Sequence, residues 1–293
     1  MEEKDSIIIS QDNAVNKTTT CLNCGTEFEG NFCPQCGQSA DTKRFTIRFI
    51  FQNLLKAILS NDGGVWITLK SLFTRPGAMV VEILNGKRKS YFSPFPMLFL
   101  TLSLYVIIFS FTGSQNIDYD NLLDDDDTKE IVTTDDMSHD EIVAEKTKLF
   151  VINTLKLYAN HYTAAFILTI PVYILAARVC FGRKNRKKYN WGEYCIPIVY
   201  SLIMLVLYRC VMSIVYYFSP AAAEVMGGNL LIILTVVVFA ATFRKMFDFG
   251  VGKMLWRSFL LIVFYWIFFI TLAVLVAAAA AAVFFSIHPE YLG

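Results

Sequence analysis

The sequence predicts an all-α integral membrane helical bundle of about five transmembrane helices, preceded by a small four-cysteine zinc ribbon and amphipathic juxtamembrane helices. Three observations lead there: an apolar composition, five long apolar runs, and a doubled Cys-x-x-Cys motif near the N-terminus. The chain of 293 residues is 55% hydrophobic and 17% charged, whereas soluble domains are about 45–50% apolar and about 25% charged. This composition excludes an ordinary soluble domain, and it excludes disorder for the chain as a whole.

The predicted spans are apolar runs, most of them close to the length of about 20 residues that crosses a bilayer. They are Phe95–Phe111, Tyr162–Val179, Ile196–Phe218, Leu230–Phe243 and Phe259–Phe285. The fourth run is short, and the small and apolar residues 221–228 are available to extend it. The fifth run is longer than a bilayer requires, so we expect it to tilt or to project from the membrane.

Charge is segregated along the chain and predicts an orientation. Residues 41–93, 181–194 and 244–257 are rich in Lys and Arg, whereas residues 117–145 carry twelve acids and one Lys. Basic flanks stay on the cytoplasmic side, so we expect a cytoplasmic N-terminus and an extracytoplasmic C-terminus. The loop after the second span supplies five basic residues at the membrane interface, Arg183, Lys184, Arg186, Lys187 and Lys188.

These features divide the chain into five predicted parts. Residues 1–20 are a disordered tail, and residues 21–38 are the zinc ribbon. The cytoplasmic amphipathic helices occupy 43–92, and the transmembrane bundle occupies 94–286 with an acidic extracytoplasmic loop at 113–148. Residues 287–293 are a C-terminal tail.

Four cysteines form two similar knuckles, Cys21-x-x-Cys24-Gly25 and Cys33-x-x-Cys36-Gly37. Each pair can chelate one tetrahedral ion, and two pairs complete a closed site without an open coordination position. The spacing therefore predicts a structural Zn²⁺ held by Cys21, Cys24, Cys33 and Cys36. The alternatives are a redox dithiol or a disulfide pair, and a cytoplasmic location argues against a stable disulfide.

Three short helices are predicted between the ribbon and the first span. An amphipathic helix covers 45–59, a second begins at Val65 and ends before Pro76, and a third covers Ala78–Leu84. The basic run Lys87-Arg88-Lys89 follows and precedes Tyr91 and Phe92. Basic and aromatic residues together suit helices that lie in the inner-leaflet interface against anionic lipid. Packing of the helices on the bundle is an equal alternative.

Several of these motifs together resemble a known family. They are Phe32–Gln38, Thr42–Thr46, Arg75-Pro76-Gly77, Gly86–Lys89 and Tyr91–Phe95. The combination is similar to the bacterial family described as domain of unknown function 3667. The resemblance extends over about Cys21 to Ile108. It implies an N-terminal zinc ribbon joined to a multi-span part of a bacterial inner membrane protein, and it implies no particular activity.

Two classes of function remain, because the sequence contains no recognisable catalytic constellation and an enzyme is not expected. The first is a membrane-embedded binding or scaffold protein whose ribbon contacts a cytoplasmic protein partner. The second is a small-solute transporter or channel, for which the intramembrane charge Arg209 is the candidate residue. Arg209 lies within partial snorkelling reach of the outer end of its span, so a structural role for it is the favoured interpretation. Nucleic acid is not an expected partner, since residues 21–38 contain no Lys or Arg.

Overall fold

The computed structural model describes residues 18–50, 64–112, 162–181, 188–219, 221 and 229–287. In these ranges a two-stranded ribbon, β1 (Thr19–Thr20) and β2 (Glu27–Phe28), precedes seven helices. The helices are α1 (Val65–Thr74), α2 (Pro76–Leu84), α3 (Pro94–Thr112), α4 (Tyr162–Cys180), α5 (Trp191–Phe218), α6 (Asn229–Phe247) and α7 (Val251–Ile287). Residues 47–50 are also helical, and the rest of the predicted helix 45–59 lies outside the described residues.

Four helices among the described residues are long and apolar enough to cross a membrane. They are α3, α5, Leu230–Phe247 within α6 and Val251–Val276 within α7. The predicted second span coincides with α4, whose Phe166–Cys180 part is a shorter apolar helix. The chain is thus mostly helical and fits a membrane protein, while the count of five spans remains a prediction. The acidic loop 113–148 lies outside the described residues.

Two helix boundaries differ from the predicted ones for local reasons. Helix α5 begins at Trp191 rather than Ile196, because Asn190 and Glu193 form a capping box. The Asn190 Oδ1 atom accepts from the Glu193 N–H at 3.0 Å, and a Glu193 carboxylate oxygen accepts from the Asn190 N–H at 2.9 Å. Helix α6 continues to Phe247, so the shortest predicted span is a helix of 19 residues.

Helix α5 is the centre of the bundle and packs against α2, α3, α4 and α6, while α7 packs against α4 and α6. Stacked aromatic rings fill part of the core. The Phe181 ring lies 4.9 Å from Phe243 and 4.3 Å from Phe247, measured between centroids. A hydrogen bond of 2.7 Å joins the buried hydroxyls of Ser201 and Thr242. This bond links α5 to α6, as polar pairs often do between membrane helices.

Helix α2 lies in a close contact with α6 that depends on Gly77. Pro76 occupies the first turn of α2, where its missing N–H leaves no hydrogen bond unmade. A Cβ atom placed on Gly77 would stand 2.7 Å from the carbonyl oxygen of Ala241 and 3.3 Å from the Lys245 side chain. The backbones of α2 and α6 can therefore approach this closely only with glycine at position 77.

We predict that Gly77→Ala separates α2 from α6 and destabilises the protein by about 1–3 kcal/mol, the usual cost of overpacking. Thermal unfolding in detergent measures the change. Gly252→Ala is the matched control, because a Cβ atom there meets nothing within 4 Å. Since alanine is the better helix former, the control is expected to be neutral or stabilising by at most about 1 kcal/mol. Equal stability of the two variants contradicts the prediction.

Candidate metal centre and its docking surface

The four predicted cysteine ligands come together. Their Sγ atoms all lie within 4.8 Å of one another. The Sγ atoms of Cys21 and Cys36 are 3.5 Å apart, and those of Cys24 and Cys33 are 3.6 Å apart. Thiolates placed tetrahedrally about 2.3 Å from an ion are separated by about 3.8 Å. The cluster therefore has the size and donor set of a four-coordinate metal site, and it could hold a metal ion.

The ribbon is built from one structural unit repeated after twelve residues. In the first unit the Cys21 N–H donates to the Thr26 carbonyl, and the Gly25 N–H donates to the Cys21 carbonyl, both at 2.9 Å. The second unit repeats this pattern with Cys33, Gln38 and Gly37, both at 2.8 Å. Gly25 and Gly37 adopt φ values of 80° and 71°, which glycine tolerates best. The knuckles thus present their sulfur atoms in equivalent ways.

The surroundings of the thiols shift their acidity in opposite directions. Hydrogen bonds from Thr26 lower the pKa of Cys24 to about 6. Removal from water raises the pKa of Cys36 to about 11. A metal ion binds thiolates only, so it must displace the proton of Cys36. Metal binding at this cluster is therefore expected to weaken as the pH falls.

Gln38 attaches the ribbon to residues 85–90, the segment between α2 and α3 that we term the docking turn. Its side chain is 6% exposed. The Nε2 atom donates to the Gly86 carbonyl at 2.8 Å, and the Oε1 atom accepts from the N–H groups of Arg88 and Lys89 at 3.2 and 3.3 Å. One amide thus satisfies three backbone groups at the end of α2.

The first knuckle contacts the same docking turn. The Asn23 Oδ1 atom accepts from the backbone N–H of Ser90 at 3.1 Å and from its hydroxyl at 2.9 Å. Gly86 adopts a φ of 104° beyond the end of α2, and a Cβ atom there would lie 2.6 Å from the Leu22 side chain. Both knuckles therefore rest on the docking turn, and Gly86 makes the close approach possible.

The predicted interfacial basic residues of the docking turn have partners within the molecule. The Arg88 guanidinium stacks over the Phe45 ring at 3.9 Å and donates to the Lys43 carbonyl. Burial lowers the pKa of Arg88 to about 10. The Lys87 ammonium pairs with Glu82 at 3.2 Å, and the Lys89 backbone contacts Gln38.

The second predicted basic cluster is only partly described. Lys188 is exposed, and its ammonium lies 5.1 Å from the Tyr189 ring centroid. Arg183, Lys184, Arg186 and Lys187 lie outside the described residues. The interfacial role of these residues stays a prediction.

A second attachment joins the segment after the ribbon to the start of α5. The Arg44 guanidinium donates twice to the Glu193 carboxylate, at 2.7 and 2.6 Å. The Glu193 side chain is 4% exposed and also belongs to the capping box of α5. A Cβ atom on Gly192 would lie 2.7 Å from the Phe45 carbonyl, so the segment crosses α5 in direct contact with its backbone.

The predicted intramembrane charge, Arg209, lies on α5 and is half-buried. The Arg209 side chain interacts with Tyr105 of α3 both electrostatically and through a side-chain hydrogen bond. Tyr105 itself is buried in the core. The contact connects the two helices, α3 and α5, that pack against each other. Arg209 thus has an interaction partner on the neighbouring helix, and its role stays a prediction.

Comparison with known proteins supports the predicted resemblance over part of the chain. The model of the family described as "Protein of unknown function (DUF3667)" matches residues 62–106. The matched segment contains α1, α2, the docking turn and most of α3, and the ribbon lies outside it. No curated protein and no solved structure matches the chain.

Four site residues were not predicted from the sequence: Asn23, Gln38, Arg44 and Glu193. Asn23 and Gln38 lie in or directly after the knuckles, at positions 23 and 38. Their polar side chains were therefore available to contact a neighbour outside the ribbon. Glu193 follows Asn190 at the spacing of a capping box, which is the sequence signal for the observed start of α5.

We predict that the purified protein binds Co²⁺ with the absorption of a tetrahedral thiolate complex, and that Cys36→Ser abolishes this absorption because one ligand is lost. The signal is expected to fall on acidification, since protons compete for the thiolates. Cys180→Ser is the matched control, because Cys180 lies at the end of α4 and outside the cluster. Thiolate absorption of undiminished intensity in Cys36→Ser contradicts the four-cysteine site.

We predict that Gln38→Ala releases the ribbon from the docking turn while metal binding persists. The N–H groups of Arg88 and Lys89 lose their acceptor, so their hydrogen exchange should accelerate. The control is Gln35→Ala, which removes an exposed glutamine from the same ribbon. Equal exchange at residues 88 and 89 in both variants shows that Gln38 does not hold the turn.

Proposed function

We propose that this protein is a membrane-embedded scaffold that presents a rigid, metal-stabilised ribbon to a protein partner. The observation that carries the proposal is the attachment of both knuckles to the docking turn, which leads directly into α3. A closed four-cysteine cluster leaves an ion no position for a substrate. A metal ion in such a site would stabilise the fold of the ribbon and would not catalyse a reaction.

Zn²⁺ is the ion that we propose for the cluster, held by Cys21, Cys24, Cys33 and Cys36. Four thiolates in a tetrahedral arrangement are typical of structural zinc. The ribbon has a core of only Cys21, Phe28 and Cys33, with Cys36 and Ala40 packed against it. So small a core supplies little folding energy, and bound zinc would supply the remainder.

The proposed location is a bacterial inner membrane with the ribbon in the cytoplasm and the C-terminus outside. The basic character of residues 41–93 and 244–257 supports this orientation. The docking turn belongs to the first of these segments, so the ribbon shares its side of the membrane. A reducing compartment also favours thiolate ligands over disulfides.

The proposed contact surface is the exposed part of the second knuckle around Phe32. Phe32 is 67% exposed, and Pro34 and Gln35 beside it are exposed as well. An exposed aromatic ring on a rigid knuckle is a common anchor for protein contacts. Glu27 and Glu29 are acidic, which supports a protein partner over a nucleic acid.

We propose a scaffold in preference to a transporter because Arg209 interacts with Tyr105, and this interaction joins two helices, α5 and α3, that pack against each other. A charge that holds helices together needs no solute to explain it. We also propose a non-enzymatic role, in keeping with the sequence, which offers no recognisable nucleophile and base pair. Solute flux by the reconstituted protein that is lost in Arg209→Ala would favour the transporter instead.

The test is site-specific photo-crosslinking in native membranes, with the crosslinking amino acid at position 32. We expect a discrete crosslinked protein that disappears in the double variant Cys33→Ser and Cys36→Ser, because the ribbon unfolds without its ligands. The matched control carries the crosslinker at Lys253, an exposed residue in a segment predicted to lie on the same side of the membrane. The proposal fails if position 32 yields no protein adduct beyond those of position 253, or if the adduct survives the double variant.

A further inference from the structure

Helix α1 carries large apolar side chains on its exposed side as well as on its buried side. The buried side contains Thr68, Ser71 and Leu72, and Leu69 packs against the core beside them. The outer side carries Trp66 and Phe73, which are 83% and 60% exposed. Water-soluble helices place the apolar stripe against the core and polar residues outside. Exposed aromatic residues on a helix whose other side is already packed indicate an apolar medium outside.

The position of α1 in the fold is set by a hydrogen bond to the start of the first membrane helix. The Thr68 hydroxyl accepts from the backbone N–H of Phe92 at 2.8 Å and donates to the Gly64 carbonyl at 3.1 Å. Phe92 lies two residues before Pro94, where α3 begins. Helix α1 therefore lies at the level at which the chain enters the membrane.

The length of α1 excludes a transmembrane role. Ten residues extend about 15 Å at a rise of about 1.5 Å per residue, which is half of the hydrocarbon thickness of about 30 Å. The outer surface of α3 is also apolar, with Leu100, Leu104 and Ile107 exposed. Both helices thus present apolar side chains outward, and Thr68 of α1 is bonded to Phe92, just before α3 begins.

The charge of Lys70 on the exposed side of α1 suits a position at the border between lipid acyl chains and head groups. Trp66, Lys70 and Phe73 follow one another at helical spacing along the outer side. Tryptophan concentrates at the membrane interface, and a lysine there extends its ammonium toward the phosphates. The three side chains match an interfacial helix.

We propose that α1 is an interfacial membrane helix whose Trp66, Ile67 and Phe73 insert into the leaflet at which α3 begins, with Lys70 directed toward lipid phosphate. The occupant of this surface is lipid and not a protein partner or a second copy of the chain. The inference rests on the membrane bundle and is independent of the ribbon's partner.

The test uses tryptophan fluorescence of the full chain in nanodiscs of phosphatidylcholine and phosphatidylglycerol. The chain has four tryptophans, so Trp191→Phe, Trp256→Phe and Trp266→Phe together leave Trp66 as the only one. We expect lipids brominated near the head-group end of the acyl chains to remove most of its emission. Aqueous acrylamide should have little effect.

Two further variants serve as references. A chain that keeps only Trp266, which is exposed on α7, reports the bilayer itself and should be quenched best by bromines deeper in the chains. Phe32→Trp in a background without other tryptophans reports the exposed ribbon, and it should respond to acrylamide and not to bromine. Phe73→Trp in the same background is a second probe of α1, should the Trp66 variant fold poorly.

The outcomes distinguish failure of the α1 proposal from failure of the membrane bundle on which it rests. Bromine quenching at positions 66 and 73 supports the α1 proposal. Emission from both positions that resists bromine while Trp266 is quenched overturns it, because water or protein then covers α1 although the bundle is in the bilayer. Emission from Trp266 that also resists bromine contradicts the membrane bundle itself.

Discussion

The amide of Gln38 connects the four-cysteine cluster with the segment that leads into α3, and the arrangement of the N-terminal third depends on it. The last carbonyl groups of a helix and the N–H groups of the turn beyond it need partners. At the end of α2 the Gly86 carbonyl and the N–H groups of Arg88 and Lys89 find theirs in Gln38. The backbone carbonyl of Gln38 in turn accepts a hydrogen bond from the backbone N–H of Cys33, so the second knuckle fixes the position of the Gln38 side-chain amide.

The pair Arg44–Glu193 is a second contact, made by the segment that follows the ribbon. A carboxylate that is 4% exposed is costly unless a cation and hydrogen bonds compensate it. Arg44 provides two such bonds, and the Asn190 N–H provides a third. Because Arg44 itself is mostly exposed, solvent moderates the strength of the pair. Its main consequence is geometric, since it holds the ribbon's exit segment across the first turn of α5.

Local patterns account for the parts of this structure that the sequence predicted. The spacing of the cysteines, the length of the apolar runs, and the breaks at Pro76 and Gly86 each act over a few residues, and each appears in the structure. The contacts of Gln38 and Arg44 bridge 48 and 149 positions of the chain. No local pattern specifies such partners. The sequence also left open whether α1 packs on the bundle or lies against lipid, because apolar residues can face either a protein core or lipid.

In the helical part of this protein, several buried polar side chains are hydrogen-bonded and many large apolar side chains are exposed. Ser201 and Thr242 pair inside the bundle, and Thr68 is buried on the inner side of α1, while large apolar side chains face outward on α1 and α3. Polar groups are stable inside only when paired, and lipid accepts the apolar exterior. The ribbon has a small core of its own, formed by Cys21, Phe28 and Cys33. The docking turn lies between the ribbon and the bundle, and its hydrogen bonds join the ribbon to the segment before α3, as Arg44 joins the ribbon's exit segment to α5.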